Sequence, residues 1–292
     1  MALRPMQWTK NAVVVAAFFF AYWDHLRGQP IAAADLLIAI PAFVCFCLLS
    51  SAVYVLNDIK DVEADRNHPE KKFRPIAAGR ISRGRAGILG ALLLLGACTG
   101  SWFLSREYAM VAAAYAVMQV IYTLWLKKIA LVDVFVIAAG FVLRAVAGAE
   151  LIKGAVISPW LLLCTFLLAL FLALCKRRHE KVVVSETADL SRPTLQNYSQ
   201  QLLDQLIAIA AGSTVVCYAM YTLSPTTVEK FHTSALGFTV PFVVFGIFRY
   251  LDLVYRHEKG GRPEKILLTD IPMLANLVLY GAAVLVIFLV TR

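Results

Sequence analysis

Long apolar segments alternate with short polar ones along the whole chain. Nine of these segments approach or exceed the length, about 20 residues, that a helix needs to cross a lipid bilayer. They are rich in Ala, Val, Leu, Ile and Phe and contain few charged residues. The nine predicted spans are approximately residues 11–28, 32–56, 86–104, 107–126, 129–149, 155–175, 203–223, 234–255 and 271–291. The pattern predicts an all-α integral membrane protein built as a bundle of nine transmembrane helices.

Composition supports a lipid environment. Apolar residues make up 60% of the chain and charged residues only 16%, and the mean hydropathy is +0.71. A soluble domain has about 45–50% apolar and about 25% charged residues. The net charge of +9 could suit nucleic acid, but the basic residues lie in the loops between the predicted spans. We therefore expect contact with membrane lipids and not with nucleic acid.

The positions of lysine and arginine predict which side of the membrane each loop faces. Cytoplasmic loops of membrane proteins carry an excess of these residues. The chain has 28 of them, and 22 lie on the cytoplasmic side if the N-terminus is cytoplasmic. Arg144 lies within a span, and five lie on the opposite side: Arg27, Arg106, Lys153, Lys230 and Arg292. We therefore predict a multi-pass protein of the cell inner (plasma) membrane, with its N-terminus cytoplasmic and its C-terminus outside.

An acidic cluster follows the second predicted span directly, in the segment NDIKDVEAD at residues 57–65. At about 100° per residue, a helix places four of its oxygen-bearing side chains within a stripe about 100° wide. We call these four the acidic stripe: Asn57, Asp58, Asp61 and Asp65. Carboxylates on one face repel each other unless a cation lies among them, and oxygen ligands of this kind suit Mg²⁺. We predict Asn57, Asp61 and Asp65 as ligands of Mg²⁺.

Basic residues follow the acidic stripe at the same predicted membrane face. The run HPEKKFRPIAAGR, residues 68–80, contributes Lys71, Lys72, Arg74 and Arg80. A divalent metal together with lysines and arginines is the combination expected around a diphosphate. A loop that only sets topology would explain the basic residues, but not acids at helical spacing directly at a membrane exit.

The motif NDxxDxxxD after the second span, followed by RPIAAGR, resembles the UbiA superfamily of intramembrane prenyltransferases. Three further segments resemble one branch more closely: RPMQWTKN at 4–11, YTLWLKK at 122–128 and GFVLRAVAG at 140–148. That branch is the decaprenyl-phosphate phosphoribosyltransferases. The resemblance implies a UbiA-like bundle that uses Mg²⁺ at a site facing the cytoplasm, with Asp58 and Asp61 as catalytic residues.

The loop after the sixth predicted span departs from the superfamily pattern. UbiA-type prenyltransferases have a second acidic motif, DxxxD, at this place, whereas this chain reads CKRRHEKVVVSETADLS. Cations in place of carboxylates weaken a second metal site and favour direct contact with phosphate oxygens. A phosphoribosyl donor carries a 5-phosphate besides its diphosphate, which fits the change. We assign Lys176 a catalytic role and Arg177 and Glu180 substrate contacts; a loop that only sets topology is the alternative.

Other candidates for substrate contact lie close to the cytoplasmic face or inside a span. A straight helix puts Arg144 about 20 Å from that face, so it either lines an interior cavity or reaches the outer interface. Asp133, one turn into the fifth predicted span, either orients Lys127 or a ribose hydroxyl or forms a structural pair. The predicted substrate-binding residues are Lys10, Asn11, Lys72, Arg74, Tyr122, Lys127, Asp133, Arg144, Arg177 and Glu180.

The resemblance favours one activity, carried by a single membrane-embedded catalytic domain over residues 1–292. This activity is the Mg-dependent transfer of 5-phosphoribose from phosphoribosyl diphosphate to a polyprenyl (decaprenyl) phosphate, with release of diphosphate. The family further suggests that the product supplies lipid-linked pentose for cell-envelope arabinan.

Two other activities compete with this interpretation. A UbiA-type enzyme could move a prenyl group from a prenyl diphosphate to an aromatic or quinone-precursor acceptor, which the missing DxxxD disfavours. A transporter or channel is disfavoured because the polar residues gather at one face rather than at mid-membrane. The sequence leaves the polyprenyl chain length and the oligomeric state open.

Overall fold

The computed structural model is helical throughout the residues that it describes. These are residues 3–24, 33–67, 71–152, 154, 157–187, 197–256, 260–261, 266 and 269–291. They form α-helices, short 3₁₀ helices and turns, and they include no strand, which confirms the all-α prediction. Seven of the lysines and arginines used to predict the orientation lie outside the described residues: Arg27, Lys153, Arg192, Lys259, Arg262, Lys265 and Arg292.

Eleven α-helices are present in the described residues. They are α1 Ala12–Tyr22, α2 Ala33–Lys60, α3 Val62–Asn67, α4 Arg83–Leu104, α5 Arg106–Leu124, α6 Val132–Glu150, α7 Pro159–Thr187, α8 Gln200–Leu223, α9 Pro225–Phe231, α10 Val240–Arg256 and α11 Ile271–Val290. Short 3₁₀ helices are found at Pro5–Asn11, Lys71–Phe73, Leu126–Lys128 and Ala235–Thr239.

Eight of the nine predicted spans correspond to helices that are long and apolar enough to cross a membrane, within the described part of the chain. They lie in α2, α4, α5, α6, α7, α8, α10 with the 3₁₀ helix before it, and α11. At the first predicted span, the structure has a 3₁₀ helix followed by α1, which is 11 residues long. By itself α1 is shorter than the roughly 20 residues that a transmembrane helix needs, and residues 25–28 of that predicted span lie outside the described residues, so the ninth span stays a prediction.

Serine side chains begin several of the long helices. The hydroxyls of Ser82, Ser105 and Ser199 accept hydrogen bonds from backbone N–H groups in the first turns of α4, α5 and α8. Such caps satisfy donors that would otherwise have no partner at a helix start. At its other end, α2 continues past the apolar run at Leu56 as far as Lys60. This extension carries the first half of the acidic stripe in helical form.

The first of two compact units comprises Met1–Phe19, Ile31–Lys153 and Thr187–Asn197. Within it, α2 packs against α4 and α5, and α5 packs against α6. The Phe46 ring lies at the centre of this core, 5.8 Å from the Tyr108 ring and 5.4 Å from the Tyr115 ring. Gly148 permits the close contact of α6 with α1, because a Cβ atom there would lie 2.1 Å from the Val14 carbonyl oxygen.

The second unit comprises Phe20–Pro30, Gly154–Glu186 and Tyr198–Arg292. Within it, α10 packs against α8 and α11. The Tyr218 hydroxyl shares hydrogen bonds with Thr239 Oγ1 at 2.6 Å and with the Tyr280 hydroxyl at 3.1 Å. The Trp23 ring stacks on Phe288 with a centroid distance of 5.2 Å. Polar groups on apolar helices thus find partners inside the unit, as a membrane interior requires.

Large apolar side chains point outward from several of the long helices. Phe103, Phe248 and Val290 are 88%, 64% and 80% exposed. Extended exposed apolar faces are unusual for a soluble protein but match the hydrocarbon of a bilayer. The chain is therefore a multi-pass membrane protein.

Candidate active site

The acidic stripe lies where α2 ends and α3 begins. Its first two residues are in the last turn of α2, Asp61 is in the turn between the helices, and Asp65 is in α3. The backbone N–H of Asp61 donates to the Asn57 carbonyl at 2.9 Å, and that of Asp65 donates to the Asp61 carbonyl at 2.8 Å. These bonds preserve the helical i to i+4 spacing across the break. The stripe therefore has the geometry that its sequence spacing predicts.

Arg74 joins the two buried carboxylates of the stripe. The side chains of Asp58 and Asp65 are only 3% and 5% exposed. Arg74 Nη1 lies 3.2 Å from Asp58 Oδ1 and 2.6 Å from Asp65 Oδ2. A buried carboxylate is costly unless a cation accompanies it, so Arg74 compensates both. It is one of the basic residues that the sequence predicts for substrate contact.

Lys127 pairs with the more exposed part of the stripe. It lies in the 3₁₀ helix Leu126–Lys128 that follows α5. Its Nζ lies 2.6 Å from Asp61 Oδ1 and donates to Asn57 Oδ1 at 3.2 Å. The Asp61 side chain is 34% exposed. Two of the three predicted metal ligands thus share one cation that comes from a distant part of the chain.

Arg4, which sequence reasoning missed, forms an ion pair with Asp58. Its guanidinium lies 5.2 Å from the centre of the Tyr54 ring. Its backbone is left-handed, with φ 48° and ψ 59°, a conformation that costs an L-residue about 1–2 kcal/mol. Ser51 Oγ donates to the Leu3 carbonyl at 2.9 Å, which anchors this turn on α2. The available signal was the position of Arg4 at the start of the segment RPMQWTKN.

The three carboxylates of the stripe are therefore matched by three cations. Burial lowers the pKa of the Arg4 guanidinium from its ordinary value, and the neighbouring Asp58 carboxylate opposes that change. An arginine remains charged near neutral pH. Arg4, Arg74 and Lys127 thus balance the carboxylate charge, and the same cations have the chemistry to bind phosphate oxygens.

Two of the three predicted Mg²⁺ ligands point at one cation, Lys127 Nζ, whereas Asp65 Oδ2 points at Arg74 Nη1. Asn57 and Asp61 direct oxygens to the same ammonium group within 3.2 Å, so they are close enough to share one cation. In the described residues, no group of three or more His, Cys, Asp or Glu side chains gathers as a metal site. Mg²⁺ typically takes one or two carboxylates and completes its shell with water and substrate phosphates. The donor set therefore suits an ion held jointly by protein and diphosphate.

Arg144 is buried inside the first unit. Its guanidinium donates to three neutral acceptors: Asn11 Oδ1 at 2.8 Å, Gly140 O at 2.9 Å and Tyr115 OH at 2.7 Å. Asn11 Nδ2 donates in turn to Ser50 Oγ at 3.1 Å. Ser50 precedes Asn57 by seven residues on α2, which is about 10 Å along the helix axis. Arg144 therefore points into the first unit, and its predicted contact with substrate stays a prediction.

Four other residues predicted to contact substrate lie in the first unit. Lys10 is half-buried and bonds to a side chain in its own 3₁₀ helix, and Lys72 is exposed. Tyr122 near the end of α5 and Asp133 in the first turn of α6 are buried. These two flank, along the chain, the short segment that carries Lys127.

The cationic end of α7 belongs to the second unit. Arg177 is buried and pairs with Glu180, one helical turn further on. Lys176 is half-buried. Two of the three residues predicted here, Arg177 and Glu180, therefore form an ion pair with each other, in which Glu180 orients Arg177.

Arg178, beside this set, connects three helices. Its Nε lies 2.6 Å from Asp204 Oδ1 in the first turns of α8. Its guanidinium lies 4.1 Å from the centre of the Tyr255 ring, near the end of α10. The Tyr255 hydroxyl donates to the same Asp204 oxygen at 3.0 Å. Arg178 thus has a structural role in joining α7, α8 and α10.

The likeness to a known family extends over most of the chain. The family model for UbiA prenyltransferases matches residues 12–277. The chain belongs to the UbiA prenyltransferase family. It is therefore a membrane transferase, and the family resemblance seen in its motifs is confirmed.

Relatives of this UbiA family member cover most of its length. The decaprenyl-phosphate phosphoribosyltransferase of Mycolicibacterium smegmatis is 35% identical, over 92% of this chain and 85% of the relative. That of Mycobacterium tuberculosis is 34% identical, over 97% of this chain and 93% of the relative. A solved structure of a UbiA homolog from Archaeoglobus fulgidus, bound to GPP and Mg²⁺, has a TM-score of 0.73 at 17% identity. It covers 98% of this chain and 97% of its own, and shows that the fold is shared.

Proposed function

We propose that the protein transfers 5-phosphoribose from phosphoribosyl diphosphate to a polyprenyl phosphate and releases diphosphate. The observation that carries this proposal is the acidic stripe, whose oxygens lie within 3.2 Å of the cations Arg74 and Lys127. Oxygen ligands for a metal and cations for phosphate are thus brought together. The names of the relatives give phosphoribose as the transferred group and decaprenyl phosphate as the acceptor, which supports this reaction.

We assign metal binding to the acidic stripe and direct contact with the diphosphate to its cationic partners. Asn57, Asp61 and Asp65 would hold Mg²⁺ together with the donor. The ion would neutralise the negative charge that builds on the departing diphosphate. Arg74 and Lys127 would exchange their carboxylate partners for phosphate oxygens, with which they form strong charge-assisted hydrogen bonds.

Asp58 has a different place in this scheme. It is predicted as a catalytic residue, but its side chain is buried between two arginines. We assign it to holding these arginines, and we leave the metal to the other three members of the stripe. Asp61 retains the catalytic assignment because it is the most exposed carboxylate of the stripe.

The nucleophile of this reaction needs no general base from the protein. A phosphate oxygen of the lipid is already anionic near pH 7, and it would attack ribose C1 as the bond to diphosphate breaks. We assign Tyr122 and Asp133 to orienting Lys127 or a ribose hydroxyl. Lys10, Asn11, Lys72 and Arg144 complete the proposed substrate contacts of the first unit.

The cationic end of α7 is proposed to contact a further phosphate. The donor carries a 5-phosphate and the acceptor brings another, so this reaction involves more anionic groups than prenyl transfer does. Lys176 and Arg177 supply cations, and Glu180 orients Arg177 through their ion pair. In this chain these residues stand where the superfamily pattern has its second acidic motif.

The membrane topology forms part of the proposal. We propose nine spans in one catalytic domain of the inner membrane, a cytoplasmic N-terminus and active site, and a C-terminus outside. Eight helices of sufficient length and the 22 lysines and arginines on the predicted cytoplasmic side support this arrangement.

A transfer assay tests the proposed activity. Purified protein is given radiolabelled phosphoribosyl diphosphate, polyprenyl phosphate and Mg²⁺, and label is measured in the lipid fraction. We expect lipid-linked label that disappears when EDTA removes the metal. Label that persists without metal would remove Mg²⁺ from the mechanism. The same protein is also tested for prenyl transfer from a prenyl diphosphate to an aromatic acid. If it catalyses that reaction and transfers nothing from phosphoribosyl diphosphate, the alternative activity is correct and the proposal is wrong.

A further inference from the structure

We propose that Arg4 is a positioning residue for the diphosphate site, because it keeps Asp58 paired when Arg74 leaves Asp58 for the diphosphate. This inference rests on the proposed function, since it concerns the cation that meets the diphosphate of the donor. It adds to the site a residue of the N-terminal segment, which precedes the first predicted span.

Arg74 contacts two carboxylates of the acidic stripe at different distances. Its Nη1 is closer to Asp65 Oδ2, at 2.6 Å, than to Asp58 Oδ1, at 3.2 Å. Asp58 is almost fully buried, and a buried carboxylate that loses its last cation is strongly disfavoured. Arg4 is the second cation on Asp58. Arg74 is therefore the partner that Asp58 can lose without becoming an unpaired buried charge.

The N-terminal segment holds Arg4 against α2. Ser51, on α2, binds this segment on both sides of Arg4. Its Oγ donates to the Leu3 carbonyl at 2.9 Å and accepts from the Trp8 indole N–H at 3.1 Å. A left-handed backbone before a proline is uncommon, and it persists where the surroundings hold it. Arg4 is thus attached to the helix that carries the site, whereas Arg74 comes from a loop.

Substitution of Arg4 would change how Asp58 and Arg74 are paired. Asp58 would then depend on Arg74 alone, and Arg74 would be kept from the phosphate oxygens. A hydrogen bond to a charged group corresponds to about a tenfold to a hundredfold change in affinity. We therefore expect Arg4→Gln to weaken diphosphate binding by about tenfold or more.

Calorimetric titration of the purified full chain with inorganic diphosphate at saturating Mg²⁺ measures this effect. Arg4→Lys is expected to recover part of the loss, because it restores a charge without the planar guanidinium. Arg4→Gln combined with Asp58→Asn is expected to bind within about threefold of the unmodified protein, since Arg74 then faces no buried charge at position 58. A merely structural role for Arg4 predicts the opposite, because the double variant would be as weak as Arg4→Gln or weaker.

Arg83→Gln is the matched control, because Arg83 is an exposed arginine that pairs with Glu63 outside the stripe. It should bind diphosphate like the unmodified protein. Equal affinities of Arg4→Gln and the unmodified protein would overturn the inference, as would a double variant no better than the single one. If thermal melting shows that Arg4→Gln alone does not fold, the inference is tested on the double variant. A diphosphate affinity more than about threefold below that of the unmodified protein then overturns the inference. Failure of the unmodified protein to bind Mg²⁺-diphosphate would instead overturn the proposed function.

Discussion

At the scale of single residues, Asp61 differs from the other carboxylates of the stripe. Its side chain is 34% exposed, whereas Asp58 and Asp65 are buried, and its partner is a lysine rather than an arginine. A lysine ammonium is a flexible point charge, while the arginine guanidinium binds through a fixed planar geometry. The partial exposure of Asp61 also lets solvent screen its pair with Lys127 more than the pairs of the two buried carboxylates. The Lys127–Asp61 pair is therefore the one that a metal ion should open first.

Substitution of Asp61 tests its role as metal ligand and catalytic residue. Asp61→Asn is expected to lower the rate of phosphoribosyl transfer at least a hundredfold, a typical order of loss when one preorganised electrostatic contact is removed (about 10²–10³). The initial rate of lipid-linked label formation at saturating Mg²⁺ measures this. Glu63→Gln is the control: Glu63 lies in the same segment but is 72% exposed and pairs with Arg66 and Arg83. It should stay within about twofold of the unmodified rate, and an Asp61→Asn rate in the same range would exclude Asp61 from the metal site.

The residues of the stripe could be predicted from sequence because they lie within nine positions of one another. Helical spacing alone places such close neighbours on one face. The pairings with Arg4 and Lys127 join residues 54 and 66 positions apart, and local periodicity contains no such information. Lys127 was predicted only from its position at the cytoplasmic face, beside the turn between two predicted spans. Arg4 was missed because its contact depends on a left-handed turn before a proline, where an extended backbone is the usual expectation.

At the scale of elements, α2 is the helix that organises the site. Its final turn carries the start of the stripe, and its earlier turns bind the N-terminal segment through Ser50 and Ser51. The length of apolar runs predicted eight spans well. It could not predict that α2 continues through polar residues to Lys60, or that the segment before α1 is a 3₁₀ helix. Both features depend on tertiary partners of polar side chains and leave no trace in hydropathy.

The contact of α6 with α1 depends on Gly148. Gly148→Ala would place a Cβ atom 2.1 Å from the Val14 carbonyl oxygen, so the helices must separate. Overpacking of this kind typically costs about 1–3 kcal/mol, and we expect a lower Tm for thermal unfolding in detergent. Gly87→Ala is the control, because its Cβ atom would meet no atom within 4 Å. It should leave the Tm unchanged or raise it, since alanine favours a helix; equal melting of both variants would show that α6 and α1 do not pack this closely.

At the scale of the whole molecule, charge and hydropathy together determine how the chain sits in the membrane. Arg80 lies in the loop before α4, which has a high density of basic residues, and Glu229 lies in the short helix α9. Five candidate spans separate these two exposed residues: α4, α5, α6, α7 and α8. If all five cross the bilayer, their odd number predicts that Arg80 and Glu229 face opposite sides of the membrane. The excess of lysine and arginine around Arg80 predicts that it faces the cytoplasm.

Cysteine labelling tests this topology without depending on the first predicted span. Of the six native cysteines, five are buried, so replacing Cys98 by alanine gives a background of low reactivity. In spheroplasts, a membrane-impermeant maleimide is expected to label Glu229→Cys directly and Arg80→Cys only after permeabilisation. Labelling of both variants before permeabilisation would contradict the five crossings, and the reverse pattern would contradict the cytoplasmic active site. The expected pattern would place the acidic stripe at the cytoplasmic face, where the proposed site is open to a water-soluble donor.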